Sequence, residues 1–326
     1  MEKKLIYIRR VKQVFNIKVG DCLQKSLNFS LIDQINRLKK RNNAIILAHN
    51  YQVGEVQDLA DYVGDSLGLS QKAAKSDADI IVFCGVQFMA ETASILCPDK
   101  MVLMPEITAG CPMANMITAE RLRTLKNKHP KATVVCYVNT TAEIKAESNI
   151  CCTSSNAVKV VESIKKPEII FIPDQYLAHY VSTKTEKKII PWIGFCPTHI
   201  KILPEHILKQ KKLHPKAKVM VHPECTPPVI ALADEVVSTG GMIRYAKESN
   251  TKEIIVGTEV GILHRLRKEN LTKKFYPASD SAICPNMKKT TLDKILWSLE
   301  DLKHVIKVPS NIRLKAKKAL DKMLEL

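Results

Sequence analysis

No apolar run in this chain of 326 residues approaches the length of about 18 residues that a membrane-spanning helix needs, so a helical membrane protein is excluded. The N-terminus, MEKKLIYIRRVKQVF, is basic, but it has no sustained apolar stretch and no small-residue cleavage site. It does not read as a secretory signal, and no transit peptide is evident. The expected setting is a reducing one: a bacterial cytoplasm, or a plastid stroma if the gene is plastid-encoded. Aromatic residues are scarce at 5%, and only 10 of the 50 basic residues are arginine. The basic residues are scattered and carry no nucleic-acid-binding motif, so no nucleic-acid partner is expected despite a formal net charge of +17. An AT-rich genome, whose codons favour Lys, Ile and Asn, accounts for the lysine; attraction of anionic substrates is compatible with it. Also missing is any CxxC pair among the ten cysteines. In a reducing compartment these serve as metal ligands or buried thiols rather than disulfides. The usual knuckles of a structural zinc site are not there.

What the chain does contain is repetition. Cys111-Pro112, Cys196-Pro197 and Cys284-Pro285 stand 85 and 88 residues apart. Each follows a short apolar strand that ends at a proline: MVLMP (101–105), KKIIPW (187–192) and KKFYP (273–277). A first strand with its exit reads AIILAHNYQ (44–52), TVVCYVNTT (133–141) and KVMVHPECT (218–226). A helix-opening segment follows at 64–75, 152–163 and 238–249, and then a second strand whose Ile-Ile pair starts at 80, 169 and 254. Short all-apolar strands alternating with amphipathic helices indicate parallel sheets covered on both faces. The expected fold is α/β: three homologous three-layer α/β/α domains with parallel sheets, in a pseudo-threefold arrangement around a central cluster. The expected division is an N-terminal extension over 1–30, repeats over 31–115, 116–201 and 202–290, and a helical tail over 291–326 that packs on the body.

Ligands of such units sit at the carboxyl ends of the strands. The first-strand exits carry His49 and Tyr51, Tyr137 and Asn139, and His222 and Glu224. Each pair is spaced i, i+2, so both members face one way. The helix-opening segments carry Ser66, Ser154 and Thr239, for which two readings stay open. They are ordinary N-caps, or they clamp anions together with the backbone N–H groups of their helix ends. Cys111, Cys196 and Cys284, one per repeat, bring three thiolates to one axis. That set suits an iron–sulfur cluster, or a metal with one coordination position left for substrate. Cys84, Cys97, Cys136 and Cys225 read as strand or loop thiols, Cys151 and Cys152 as packing near Ser154, and Cys22 lies in the extension.

With AHNYQ, GDSLGLS, FCGVQFMAETA, PEITAGCPMANM, CYVNTTAEIKA, CTSSNA, IPDQYLA, GFCPTHI, VHPEC, STGGM and ICPNMKKTTL in this order over roughly 44–291, the chain resembles the quinolinate synthase family of de novo NAD biosynthesis. The resemblance implies an enzyme of the transferase type that condenses iminosuccinate with dihydroxyacetone phosphate to quinolinate, with loss of phosphate and water. It implies one [4Fe–4S] cluster held by Cys111, Cys196 and Cys284 and leaving one iron open. It implies substrate contacts from His49, Ser66, Tyr137, Asn139, Ser154, His222, Glu224 and Thr239. An L-aspartate oxidase or an aspartate dehydrogenase would each serve as the source of iminosuccinate. Some members carry extra cysteines around the third ligand; Cys284 stands alone, so a regulatory disulfide is not available there. Chemistry then suggests Glu224 as general acid/base, Tyr51 in tautomerisation, His49 and His222 as anion or proton carriers, and His199 beside the cluster. The competing readings are an aconitase-type iron–sulfur hydro-lyase, an iron–sulfur nucleic-acid sensor and a zinc protein.

Overall fold

The computed structural model describes residues 30–326, so the N-terminal extension and Cys22 lie outside the described residues. Among the described residues, twelve strands form three parallel sheets of four. The first sheet contains β1 (Ala44–His49), β2 (Tyr62–Gly64), β3 (Ile80–Cys84) and β4 (Met101–Leu103), in the order β2-β1-β3-β4. The second contains β5 (Thr133–Tyr137), β6 (Ile150–Cys152), β7 (Glu168–Ile172) and β8 (Lys188–Pro191), in the order β6-β5-β7-β8. The third contains β9 (Lys218–Val221), β10 (Glu235–Val236), β11 (Glu253–Gly257) and β12 (Lys274–Pro277), in the order β10-β9-β11-β12. The register repeats as well: Ala44 pairs with Ile80, Thr133 with Ile169, and Lys218 with Ile254. The α/β class with parallel sheets between helices is as the sequence indicates.

Each sheet has one strand more than the sequence pattern shows. β2, β6 and β10 are two or three residues long, too short to leave a periodic signature. A local device fixes them. The side chains of Asp61, Asn149 and Asp234 accept the amides of Ile46, Val134 and Val219, each at 2.8 Å. The backbone amides of the same three residues return a bond to the carbonyls of Ile46, Val134 and Val219. Each turn into the short strand is thereby locked to the central strand at both donor and acceptor.

The strands are buried because helices cover both faces: all five residues of β3 are buried, as are four of five in β7 and β11. Each unit opens with a helix, over 30–41, Ala119–Lys128 and Pro204–Leu213. Thr118 caps the second by accepting from the Arg121 amide, and Pro204 starts the third, where a missing N–H costs nothing. After the third sheet the chain returns to the first. Leu292, Ile295 and Leu299 of the helix Leu292–Asp301 pack with Ile35, Ile46 and Val82. Ile306 then donates to the Val102 carbonyl beside β4. The last helix, Ser310–Leu324, lies on the helices Ala142–Ala146 and Gln87–Leu96 and on β6, bridging the first two sheets. Among the described residues no helix is long and apolar enough to cross a membrane.

Leu320 is fully buried in this last contact. Leu320→Ala is expected to destabilise the metal-free protein by about 2–4 kcal/mol, read as a lower midpoint in thermal or urea unfolding. An unchanged midpoint would mean that the bridging helix adds little to the body.

Candidate active site

All three sheets point the carboxyl ends of their central strands at one cavity. Its wall holds His49 and Tyr51 beyond β1, Tyr137 and Asn139 at the end of and beyond β5, and His222 and Glu224 beyond β9. The i, i+2 spacing works as the sequence suggests, with both members of each pair on the cavity side. The backbone then sets the imidazoles. The Tyr51 amide lies 3.2 Å from His49 Nδ1, and the Glu224 amide 3.3 Å from His222 Nδ1. An amide only donates, so both Nδ1 atoms accept and the ring protons reside on Nε2. Burial lowers His49 to about 4, partly offset by Asp65, and lowers His222 to about 3, partly offset by Glu224. Both rings are neutral near pH 7 and present N–H donors.

At the helix openings the N-cap positions fall to residues other than Ser66, Ser154 and Thr239. The caps are Asp65 and Ser238, which accept from the Gly68 and Gly241 amides. Ser66 and Thr239, one residue later, are the first helical residues, and their hydroxyls are not spent on capping. Ser154 lies in the turn before the helix Ala157–Ser163, with its Oγ 3.1 Å from His222 Nε2. All three hydroxyl residues line the cavity. Behind them Ser155 Oγ lies 2.6 Å from Asp65 Oδ2 and 2.7 Å from Ser238 Oγ, so one residue from each repeat ties the openings together. A Cβ at Gly240 would stand 2.5 Å from Asp65 Oδ2, so the approach requires glycine there.

A buried polar chain crosses the cavity wall. Glu224 Oε2 is 2.8 Å from His199 Nδ1. The carboxylate lies off the N–H direction, so the contact is electrostatic more than a directed hydrogen bond. His199 Nε2 is 2.8 Å from Thr258 Oγ1, which is 2.5 Å from the Tyr51 hydroxyl. Burial alone would raise Glu224, but His199, His222 and the Tyr137 hydroxyl hold it well below the usual carboxylate range. Burial and then the Glu224 charge push Tyr51 and Tyr137 above their ordinary value, so both keep their protons. The wall thus holds one firmly ionised carboxylate linked through imidazole and hydroxyl to a protonated phenol.

The cysteine loops repeat in detail. The carbonyls of Ala109, Gly194 and Ala282, two residues before each cysteine, accept from the amides of Gln87, Gln175 and Val260, just past the second strands. The proline after each cysteine has no N–H, and the next two amides turn back on the sulfur: Met113 and Ala114 on Cys111, Thr198 and His199 on Cys196, Asn286 and Met287 on Cys284. Burial raises all three thiols, Cys111 to about 12, and their mutual proximity raises Cys111 and Cys196 further. Three sulfurs with amide donors, in a buried setting that disfavours free thiolates, are a donor set that a bound cation would stabilise. The donor set therefore fits an iron–sulfur or metal group. Cys196, His199 and Glu224 also place ligand atoms within 4.8 Å of one another.

Residues 33–325 match the family model described as quinolinate synthetase A protein. The chain belongs to that family. It is 60% identical over 293 residues to the quinolinate synthase of Dehalococcoides mccartyi strain CBDB1, covering 90% of this chain and 97% of that protein. It is 60% identical over 294 residues to the quinolinate synthase of Methanosarcina barkeri strain Fusaro, with the same coverage. The quinolinate synthase of Thermodesulfovibrio yellowstonii is 57% identical over 296 residues, covering 90% of this chain and 98% of that protein.

Each site residue expected from the sequence, and from likeness to the quinolinate synthetase A family, reaches this cavity. His199, expected beside the cysteines, does so too. Cys84, Cys97, Cys136, Cys151, Cys152 and Cys225 are buried and are not part of the wall. Several participants went unread in the sequence. Thr258 completes the polar chain. Glu259, fully buried, accepts from the Cys284 amide at 3.1 Å and pairs with Lys288 at 2.8 Å. Asp174 caps the helix Gln175–Ser182 through Tyr176 and Leu177 and faces the Cys196 amide. Asp174 and Glu259 occupy one register, five residues after the Ile-Ile start, and that shared register was the available signal.

Neutral buried imidazoles make stability pH-dependent. The folded values of His49 and His222 lie below that of a free histidine, so the unfolded chain binds the extra protons. Stability is full above pH 6.5 and falls as pH drops from 6.5 toward 4. The unfolding midpoint of the metal-free protein is expected to drop over that range, and less steeply in His49→Gln. Identical slopes for the two proteins would contradict the buried neutral state of His49.

Proposed function

We propose that this chain condenses iminosuccinate with dihydroxyacetone phosphate to give quinolinate, phosphate and water, as a quinolinate synthase of NAD biosynthesis. Its cofactor is one [4Fe–4S] cluster on Cys111, Cys196 and Cys284. The observation that carries the reading is that one cysteine from each repeat opens onto the same cavity as His49, Ser154, His222, Glu224 and Thr239. When bound, the cluster supplies an iron without a protein ligand, a Lewis acid for a hydroxyl or carboxylate oxygen. The chain's own groups do the rest. Ser66, Ser154, Thr239 and the Nε2–H of His49 bind the anionic ends of the substrates by neutral donors at helix openings. Tyr137 and Asn139 orient the reacting carbons, and Asn139 Nδ2 reaches Glu224 Oε1 at 3.5 Å. Glu224 is the base for successive proton removals. Tyr51, whose hydroxyl meets Thr258 and through it His199 Nε2, donates and recovers its proton during tautomerisation. Domains over 31–115, 116–201 and 202–290, with the tail closing over the first two, bring these groups together. The iminosuccinate comes from an L-aspartate oxidase or an aspartate dehydrogenase in the same reducing compartment.

Anaerobic purification tests the cofactor. About four irons and four sulfides per chain are expected, and Cys111→Ser should lose them. A wild-type chain that stays iron-free after reconstitution would overturn the cluster assignment. Activity should require both substrates together; turnover of a single hydroxy acid alone would point instead to a hydro-lyase. Glu224→Gln is expected to lower kcat by about 10²–10⁴-fold with iron content unchanged. Full turnover in that variant would remove Glu224 from the acid/base role.

A further inference from the structure

Asn50 sits between two cavity residues, His49 and Tyr51, yet is not itself part of the wall. It is fully buried. Its Nδ2 lies 3.1 Å from Thr239 Oγ1 in the third repeat, and its Oδ1 lies 3.1 Å from Arg265 Nη1. Arg265 is itself held: Nη1 donates to the Val63 carbonyl and Nε to Glu269, both at 2.6 Å. A guanidinium has only donors, so the carboxamide atom facing it must be the oxygen. That fixes the amide's orientation, and the NH₂ end must face Thr239. There it donates, and the Thr239 oxygen accepts. A hydroxyl that accepts on this side directs its own proton elsewhere, and among the described residues no protein acceptor stands within reach of it. Thr239 opens its helix on the cavity wall, with its side chain released from capping by Ser238.

We propose that Asn50, locked by Arg265, is a positioning residue that fixes the Thr239 hydroxyl as a donor aimed at a carboxylate or phosphate oxygen of the bound substrate. The inference rests on the reading of Thr239 as a substrate-binding group. Its physical content is a relay. A cation at the edge of the site orients an amide, the amide orients a hydroxyl, and the substrate meets a prearranged neutral donor instead of a salt bridge.

Asn50→Asp in the cluster-loaded enzyme tests this with little change of shape. One carboxylate oxygen still meets Arg265, and the other now accepts the Thr239 proton, turning the hydroxyl lone pairs toward the substrate. The iron content should be unchanged. KM should rise about tenfold or more for iminosuccinate or for dihydroxyacetone phosphate, each varied with the other saturating. kcat should change less, and the Kd of quinolinate should shift the same way. Thr239→Val should show the same rise, and the double variant should be no worse than Thr239→Val alone. Unchanged KM and Kd in Asn50→Asp, with a rise in Thr239→Val, would overturn this inference and leave the reading of Thr239 standing. No rise in either variant would remove Thr239 from the substrate contacts and the inference with it. If Asn50→Asp fails to fold, Arg265→Met, which frees the amide to turn, decides. A several-fold rise in KM at unchanged iron content supports the relay, and an unchanged KM overturns it.

Discussion

Three backbone hydrogen bonds hold the centre of this molecule together. The amide just past each second strand donates to the carbonyl two residues before each cysteine. The sheets fix where the strands end, these bonds fix the cysteine loops to the strand ends, and the loops fix the sulfurs. Everything the cavity does follows from that tie, because the same strand ends carry Thr258 and Glu259, and the neighbouring central strands carry the histidines and Glu224. The buried carboxylates reinforce it where they occur: Asp174 and Glu259 take up the amides of Cys196 and Cys284. Gly85 at the first repeat's equivalent position has no carboxylate, and that loop is held besides by Lys289 on the Thr108 carbonyl and by the Lys294–Glu106 pair.

The charge of the cavity differs in kind from the charge of the chain. The protein is strongly basic overall, yet the cavity wall carries the hydroxyls of Ser66, Ser154 and Thr239 and two neutral imidazoles, His49 and His222. The firmly ionised Glu224 carboxylate shares the wall with Asp65 and Glu259. Among the cations, Lys201 lines the wall, while Arg265 stands behind Asn50 and Lys288 against Glu259 and the Tyr51 carbonyl. Desolvated dipoles with fixed directions bind an anion without forcing a neighbouring base to lose its proton affinity, as a bare ammonium at the same place would.

Most of this was legible in the sequence because it repeats. A lone His49 carries little information, but His49, Tyr137 and His222 at one register of three segments identify a site. The same logic found the three cysteines and the α/β sheets. It stopped where the repeats diverge or where two candidates stand side by side. Asp65-Ser66 and Ser238-Thr239 each offer two capping residues in succession, and only the helical geometry shows that the first of each pair caps. Thr258 and Glu259 share a register with Cys84 and Gly85, which hides their role. Asn50 falls on the outward side of an alternating segment, and its importance comes from partners in the third repeat. β2, β6 and β10 are anchored by one side chain each together with its own backbone amide, a contact that periodicity does not encode.

The helix Ser310–Leu324 comes after all three repeats in the chain, yet it rests on elements of the first two. On a ribosome the three units emerge in order, each with its local sheet, while the surface on the helices Gln87–Leu96 and Ala142–Ala146 stays bare. The segment that covers it becomes available only after the third repeat has been made. Closure over the first two repeats therefore waits for the third, and a chain cut short before this helix would leave bare the surface that Ala316, Leu320 and Met323 bury.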